Sequence, residues 1–317
     1  MKKIISFLLV VLIALTSFAI PAMAVTEEHI PHHKSFQSAC DTIRYYILQW
    51  KHPDNITAFD FYFKVTYETE TYNPDTIYSD LHREIFKHTG DYYKGDSLKA
   101  NLNGIGLDAS ADWDAAKGKY IVKVLVYGNY VLDRAKVQQL NMWVEKNSMW
   151  LATKKYKTGT SDYGKALGVY KWIIKNCKHS YGFDDVPGCI NSHTTAWGVK
   201  YKKGICHGFA QLYYMMAVRC GLQCRMMDNM QHAYCVVKID GKWYIVDPTI
   251  GRLGSPKKYF LIGHKNYKYD ENYRDDYCGY LIHKEGESGS STYVSINGKT
   301  HQQEMILSVK NYKKGYK

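Results

Sequence analysis

The sequence is poor in proline, with 7 in 317 residues, and its 24 glycines follow no period. Collagen-like and coiled-coil classes are therefore excluded. Only one long apolar run exists, at residues 4–20, so the chain is not a polytopic membrane protein. The 8 cysteines (Cys40, Cys177, Cys189, Cys206, Cys220, Cys224, Cys235 and Cys278) contain no CxxC pair and no zinc-knuckle spacing. A metal site built from cysteine is not expected. Acidic residues are also short, 30 against 42 basic, for a formal charge of +12. The lysines are scattered, with Lys202-Lys203 and Lys313-Lys314 the nearest approach to clusters, and no nucleic-acid motif accompanies them. Aromatic side chains are plentiful, at 15% with 29 tyrosines, which supplies too much burial for a disordered chain. The length suits one large domain or two ordinary ones.

The apolar run follows Lys2 and Lys3 and ends at Pro21-Ala22-Met23-Ala24. A basic start, an apolar middle and an Ala-x-Ala exit predict a secretory signal over residues 1–24, with Val25 the first mature residue; an uncleaved anchor is the alternative. The expected location is secreted, extracellular or at the cell surface. A basic exported chain suits anionic partners such as wall polymers or acidic proteins, and equally a plain solvated surface. His29, His32 and His33 could bind a metal, but the sequence places them in a frayed N-terminus. Export permits disulfides. If one cysteine is a nucleophile, seven remain and at least one of those is unpaired.

Four parts are expected: the signal at 1–24, an α+β region at 25–155, a second core at 156–270 and an extension at 271–317. Helices are predicted over 35–50, from Asn73-Pro74 to 88, and over 133–151; strands over 57–66 and 119–127. Polar residues 154–160 form the candidate boundary. Beyond them, Tyr163, Ala166, Leu167, Tyr170, Ile173 and Ile174 recur at helical spacing. A short helix is expected near 194–199. A longer one follows Cys206, striped by Phe209, Leu212, Tyr213 and Met216 and ended by Gly221. Strands are predicted at 222–227, 232–239 and 242–246, the last two joined by an Asp240-Gly241 hairpin turn. Residues 286–291 read as a loop.

Three residues carry the chemistry. Cys206 opens a helix between Gly204 and Gly208, where unpaired backbone N–H groups and the helix dipole favour thiolate. The same N–H groups could receive an oxyanion. The hairpin turn sets Tyr234 opposite Asp247 and His232 two residues further along the same face, so Asp247 can reach the imidazole. The other ring nitrogen is then left for Cys206. Each residue alone is weak evidence, since a buried cysteine is usually inert and an aspartate before proline usually makes a turn.

A family resemblance covers all three. Ser161-Asp162-Tyr163-Gly164, Thr194-Thr195-Ala196-Trp197-Gly198, Gly204-Ile205-Cys206-His207-Gly208-Phe209-Ala210, His232-Ala233-Tyr234 and Gly241-Lys242-Trp243-Tyr244-Ile245-Val246-Asp247-Pro248-Thr249 occur in order. Together with Tyr259-Phe260-Leu261, this stretch resembles the transglutaminase-like superfamily, whose core is related to papain-like cysteine proteases. The resemblance implies an α+β fold with a nucleophile at a helix N-terminus packed on an antiparallel sheet. It also implies that Cys206 is the nucleophile, His232 the base and Asp247 its partner. Departures stand at Tyr234 and Cys235, where the family often has Trp then Asn, and at Ile250, where it often has Trp. The family often adds an upstream oxyanion donor, for which Trp197 is the candidate here. Tyr234 is a second residue that could line the substrate site.

The resulting expectation is an exported acyl-transfer enzyme that attacks amide bonds through a thioester and needs no cofactor or metal. Its substrate would be a protein or peptide, including cell-wall peptide, with no nucleic-acid partner. Hydrolysis is expected over cross-linking to an amine, because water is present at about 55 M and no amine site is visible. The rivals are a protein-glutamine cross-linker, a non-catalytic surface-binding module that kept the fold, and a wall-binding protein.

Overall fold

The structure is a computed structural model and describes residues 30–49, 54–55, 59–87, 98, 101–180, 194–228, 232–267, 274–275, 281–284, 292–294, 300–302 and 304–316. The signal-peptide assignment at 1–24, His29, Cys189, Cys278 and the loop at 286–291 lie outside them. In chain order the elements are β1 (His32–His33), α1 (Phe36–Gln49), β2 (Asp54–Asn55), β3 (Asp60–Thr69), α2 (Ile77–Ile85), β4 (Leu102–Asp114) and β5 (Lys119–Tyr130). There follow α3 (Arg134–Trp150), α4 (Asp162–Asn176), α5 (Ala196–Tyr201), α6 (Cys206–Arg219), β6 (Cys224–Asp228), β7 (Ala233–Ile239), β8 (Lys242–Val246) and α7 (Pro248–Leu253). The last are β9 (Phe260–Ile262), β10 (Arg274–Asp275), β11 (Leu281–Lys284), β12 (Thr292–Val294), β13 (Thr300–Gln302) and β14 (Glu304–Leu307). The fold class is α+β. Among the described residues, no helix is long and apolar enough to cross a membrane.

The first sheet runs β1-β3-β5-β4, with β2 on β3. Strict alternation in β3 turns Phe61, Phe63, Val65 and Tyr67 into a core shared with Ile43 and Ile47 of α1 and Leu81 and Ile85 of α2. Each large apolar side chain so buried contributes about 1.5–3 kcal/mol. The expected fraying at His32 and His33 is not what forms. Both residues pair with β3, and the His32 ring bonds Thr66 and Glu68 while His33 bonds Ser38. Among the described residues no cluster suited to a metal ion occurs.

The second sheet runs β14-β11-β10-β6-β7-β8-β9, and β14 also pairs with β8, so the ladder returns on itself. Helix α6 packs against β6 and β7 in a core with α3, α4 and α5. Helix α3 therefore belongs to this core rather than to the preceding region, and the division between the two cores falls between Tyr130 and Leu132. The polar segment near 155 does not separate them. It begins in a π-helical turn, Leu151–Lys155, whose first residues are buried against α4.

Residues 304–316 are built into this sheet's surroundings. The Ser308 N–H donates to Trp243 O, and the Tyr312 N–H to Leu261 O. Tyr312 stacks on Tyr163 at 5.5 Å, and its hydroxyl donates to Asp240 at 2.7 Å. Tyr163 donates to Gly315 O, and Tyr316 packs edge-on to Tyr170. Much of the tyrosine excess is thus structural, the rings burying area and the hydroxyls of Tyr163, Tyr170 and Tyr312 finding acceptors in Gly315 O, Pro256 O and Asp240.

Candidate active site

The hairpin β7–β8 forms in the register the Asp240-Gly241 turn predicts, from Ile239 opposite Lys242 to Cys235 opposite Val246. Asp240 and Gly241 both take positive φ, 49° and 81°, as a type I′ turn requires. At the end of the hairpin away from the turn stand His232, just before β7, and Asp247, just after β8. The His232 Nε2–H donates to Asp247 Oδ2 at 2.8 Å. His232 is 8% exposed and Asp247 fully buried.

Asp247 serves two structures at once. Its Oδ1 caps α7, accepting the N–H groups of Thr249 at 3.0 Å and Ile250 at 3.1 Å, with Pro248 pre-set for the first helical position. Its Oδ2 receives His232 and also the hydroxyl of Tyr267 at 3.0 Å. A buried carboxylate with four donors is satisfied and fixed in rotation.

Cys206 opens α6, preceded by extended Ile205. The helix start is held by neighbours. The Gln211 side chain accepts the Ala196 N–H, and His207 donates Nδ1–H to Thr194 O. Gly208 lets α6 lie directly on the Thr195 carbonyl, since a Cβ there would come within 2.6 Å of it. Burial alone would push the Cys206 thiol up. A hydrogen bond with the His232 ring, assisted by the N–H groups of Ala233 and His207, outweighs burial and holds the thiol below its ordinary value. Burial would likewise lower His232, but its bonds to Asp247 and to Cys206 raise it to about 10. Because Nε2 is taken by Asp247, the nitrogen facing the thiol is Nδ1. Elsewhere burial does the opposite, raising Cys40 and Cys235, Cys177 to about 12 and Cys220 to about 11.

The structure thus brings Cys206, His232 and Asp247 together, and does not bring the two auxiliary residues to them. The Trp197 indole N–H donates to Gln139 of α3 at 2.9 Å, with Lys136 over its ring. Tyr234 is fully buried among Met227, Val236, Ile245 and Tyr267. Two residues not singled out in the sequence lie close to the centre. Tyr267 touches Asp247, as above. His179 bridges Gly204 as an isolated parallel pair, with its ring 6.1 Å from that of Phe209. Burial, then the charge of His232, lowers its pKa. No spacing signal could have found either residue.

Residues 150–248 match the family model of the transglutaminase-like superfamily, and all three residues of the centre fall inside that span. This segment resembles a transglutaminase-like core. No curated protein sequence matches the chain. Among solved structures, the chain is similar to a candidate cysteine protease from Cytophaga hutchinsonii, at 15% identity and a TM-score of 0.25, covering 47% of this chain and 65% of that one. It is also similar to a candidate protease from Parabacteroides distasonis, at 12% identity and a TM-score of 0.27, covering 74% of this chain and 50% of that one. The chain thus spans less than two thirds of either. The transglutaminase-like core supports a cysteine-dependent enzyme.

Proposed function

We propose that the protein is an exported enzyme that opens amide bonds of peptides or proteins through a thioester on Cys206, with hydrolysis favoured over transfer to an amine. The observation that carries the reading is a single imidazole held between a thiol and a buried carboxylate, Cys206 on one ring nitrogen of His232 and Asp247 on the other. In the reaction the thiolate adds to the substrate carbonyl, and the oxyanion meets the N–H groups of the first turn of α6. His232 then gives its Nδ1 proton to the departing nitrogen as the C–N bond breaks, leaving an acyl thioester. Water, deprotonated by the same nitrogen, releases the acid and restores the thiol.

Hydrolysis is favoured because neither Tyr234 nor Trp197 screens the thiol. One is buried behind the hairpin, and the other is bonded to α3. Export rests on the basic start, the apolar run at 4–20 and the Ala-x-Ala exit. Cell-wall peptide is the proposed partner on that ground and on the positive charge.

The test offers a glutamine-containing peptide and a wall-type peptide, each with and without a fluorescent amine. Cleavage or ammonia release without amine incorporation, absent in Cys206→Ala, is expected. Efficient incorporation at low amine concentration would replace hydrolysis by cross-linking. The lowered thiol pKa favours the thiolate, so at neutral pH iodoacetamide should label Cys206 before the buried thiols. Labelling should fall only as pH drops through the lowered thiol pKa. Preferential labelling of another cysteine would overturn the nucleophile assignment.

A further inference from the structure

Asp247 Oδ2 carries two donors, His232 Nε2–H at 2.8 Å and the Tyr267 hydroxyl at 3.0 Å. Tyr267 lies beyond the matched span of 150–248. Its ring is fixed edge-on against Tyr234 at 4.8 Å and Tyr259 at 6.4 Å. It closes a short 3-10 turn, His264–Asn266, with its N–H on His264 O. That turn is pinned by the C-terminal segment. The His264 N–H donates to Ser308 O at 2.9 Å, and Asn311 Oδ1 accepts both the Gly263 N–H at 2.9 Å and the Asn266 side chain at 2.8 Å. The C-terminal segment therefore fixes the turn, the turn fixes the ring, and the ring aims the hydroxyl. Tyr267 and Asp247 are both buried, so water does not dilute the contact.

We propose that Tyr267 is a positioning residue for the reaction: by sharing Asp247 Oδ2 with His232, its hydroxyl sets the carboxylate's rotation and limits how tightly the imidazolium is held. The inference rests on the assignment of Cys206, His232 and Asp247 as the reacting triad. A carboxylate oxygen relieved of one donor becomes a stronger acceptor for the other. Without the hydroxyl, His232 would be a stronger base and a poorer acid toward the leaving nitrogen. Cys206 from α6, His179 from the segment after α4, Tyr170 from α4 and Cys235 from β7 also act on His232 or Asp247, and the substitution alters none of them.

The experiment titrates His232 by NMR in the full chain labelled with [13C]histidine, comparing wild type with Tyr267→Phe. The control is Tyr312→Phe, which removes a tyrosine-to-carboxylate bond at the turn end of the same hairpin. Tyr267→Phe should raise the His232 transition by about half a unit to one unit, while Tyr312→Phe should leave it in place. Asn311→Ala, which loosens the turn and keeps the tyrosine, should move it the same way by less. It also keeps the test open if Tyr267→Phe does not fold. A His232 transition unmoved or lowered in Tyr267→Phe, or equally raised in Tyr312→Phe, would overturn the proposal. A wild-type transition in the ordinary range near 6.5 would instead sink the triad assignment beneath it.

Discussion

The two sheets treat their strands differently. In β3 buried and half-exposed residues alternate, so one face packs on helices and the other meets water. In β7 nearly every residue is buried, because α6 covers one face and the cluster around Tyr234 and Ile262 fills the other. The consequence is chemical. A polar group on the outer face of the first sheet stays in contact with water, and where one is shifted, as at Glu68, hydrogen bonds to Lys117 and His32 lower it rather than burial. A polar group at the end of β7 or β8 must find partners or destabilise the fold. Asp247 finds four, His232 is left between two of opposite demand, and the reactive pair follows from that shortage of water.

The largest expected effect breaks the pair itself. His232→Ala should cost about 10²–10⁴-fold in turnover by loss of the base and acid. Its fold, judged by circular dichroism, should persist. Full activity of this variant on a verified substrate would remove the triad. Asp247→Ala is a different perturbation, because the residue also caps α7 and holds the Tyr267 hydroxyl. It should lower stability as well as turnover, by about 1–3 kcal/mol for the stranded donors. Asp247→Asn, which can keep the cap acceptor, should recover part of the stability without the activity. Equal melting of the two variants would show that the capping role is negligible.

The hairpin was legible because Asp240-Gly241 fixes a two-residue turn, and a turn fixes register. Register in turn placed His232 and Asp247 on one side. Cys206 was legible because glycines flank it at a helix start. The long strand β4 was not. Its LNGIGLDASADWD sequence mixes two glycines and three aspartates, and as an edge strand it buries only Leu107 fully, so period-two alternation is faint. Helix α3 was legible from its periodicity, but the core it packs in was not, because an exposed polar stretch at 154–160 follows it while its own apolar side chains Val137, Leu140 and Val144 face the second core. Tyr267 and His179 had no local signal at all. Each reaches the site only through the path of the chain after β9 or after α4, and one tyrosine among 29 does not announce itself.

The independence of the two cores can be sharpened by an intermediate perturbation. Phe63 is fully buried in the first core, against Tyr46 and Phe61. Phe63→Ala should cost about 3–5 kcal/mol through lost burial and the cavity left behind. If the cores unfold separately, urea should melt the first core early while Cys206 keeps its rapid alkylation. Loss of both signals at one denaturant concentration would show that the regions fold as a single cooperative unit.

The smallest effect belongs to the water-facing side of the first sheet. Lys123 on β5 lies opposite Ser110 of β4, and its Nζ meets Asp112 at 2.9 Å, with the two side chains 59% and 72% exposed. Geometry alone would suggest a stabilising cross-strand pair. At that exposure the Coulomb gain is screened, and holding two long side chains together costs rotamer entropy. Lys123→Ala should therefore change stability by no more than about 0.5 kcal/mol, within the usual range for exposed positions. Turnover should not change. The comparison to make is with Asp247→Ala, measured in the same urea series at low and at high salt. A short contact to a carboxylate exists in both places, one exposed and single, the other buried and shared among four donors. A loss at Lys123 as large as that at Asp247, or one that persists in high salt, would mean that desolvation is not what separates the two sheets.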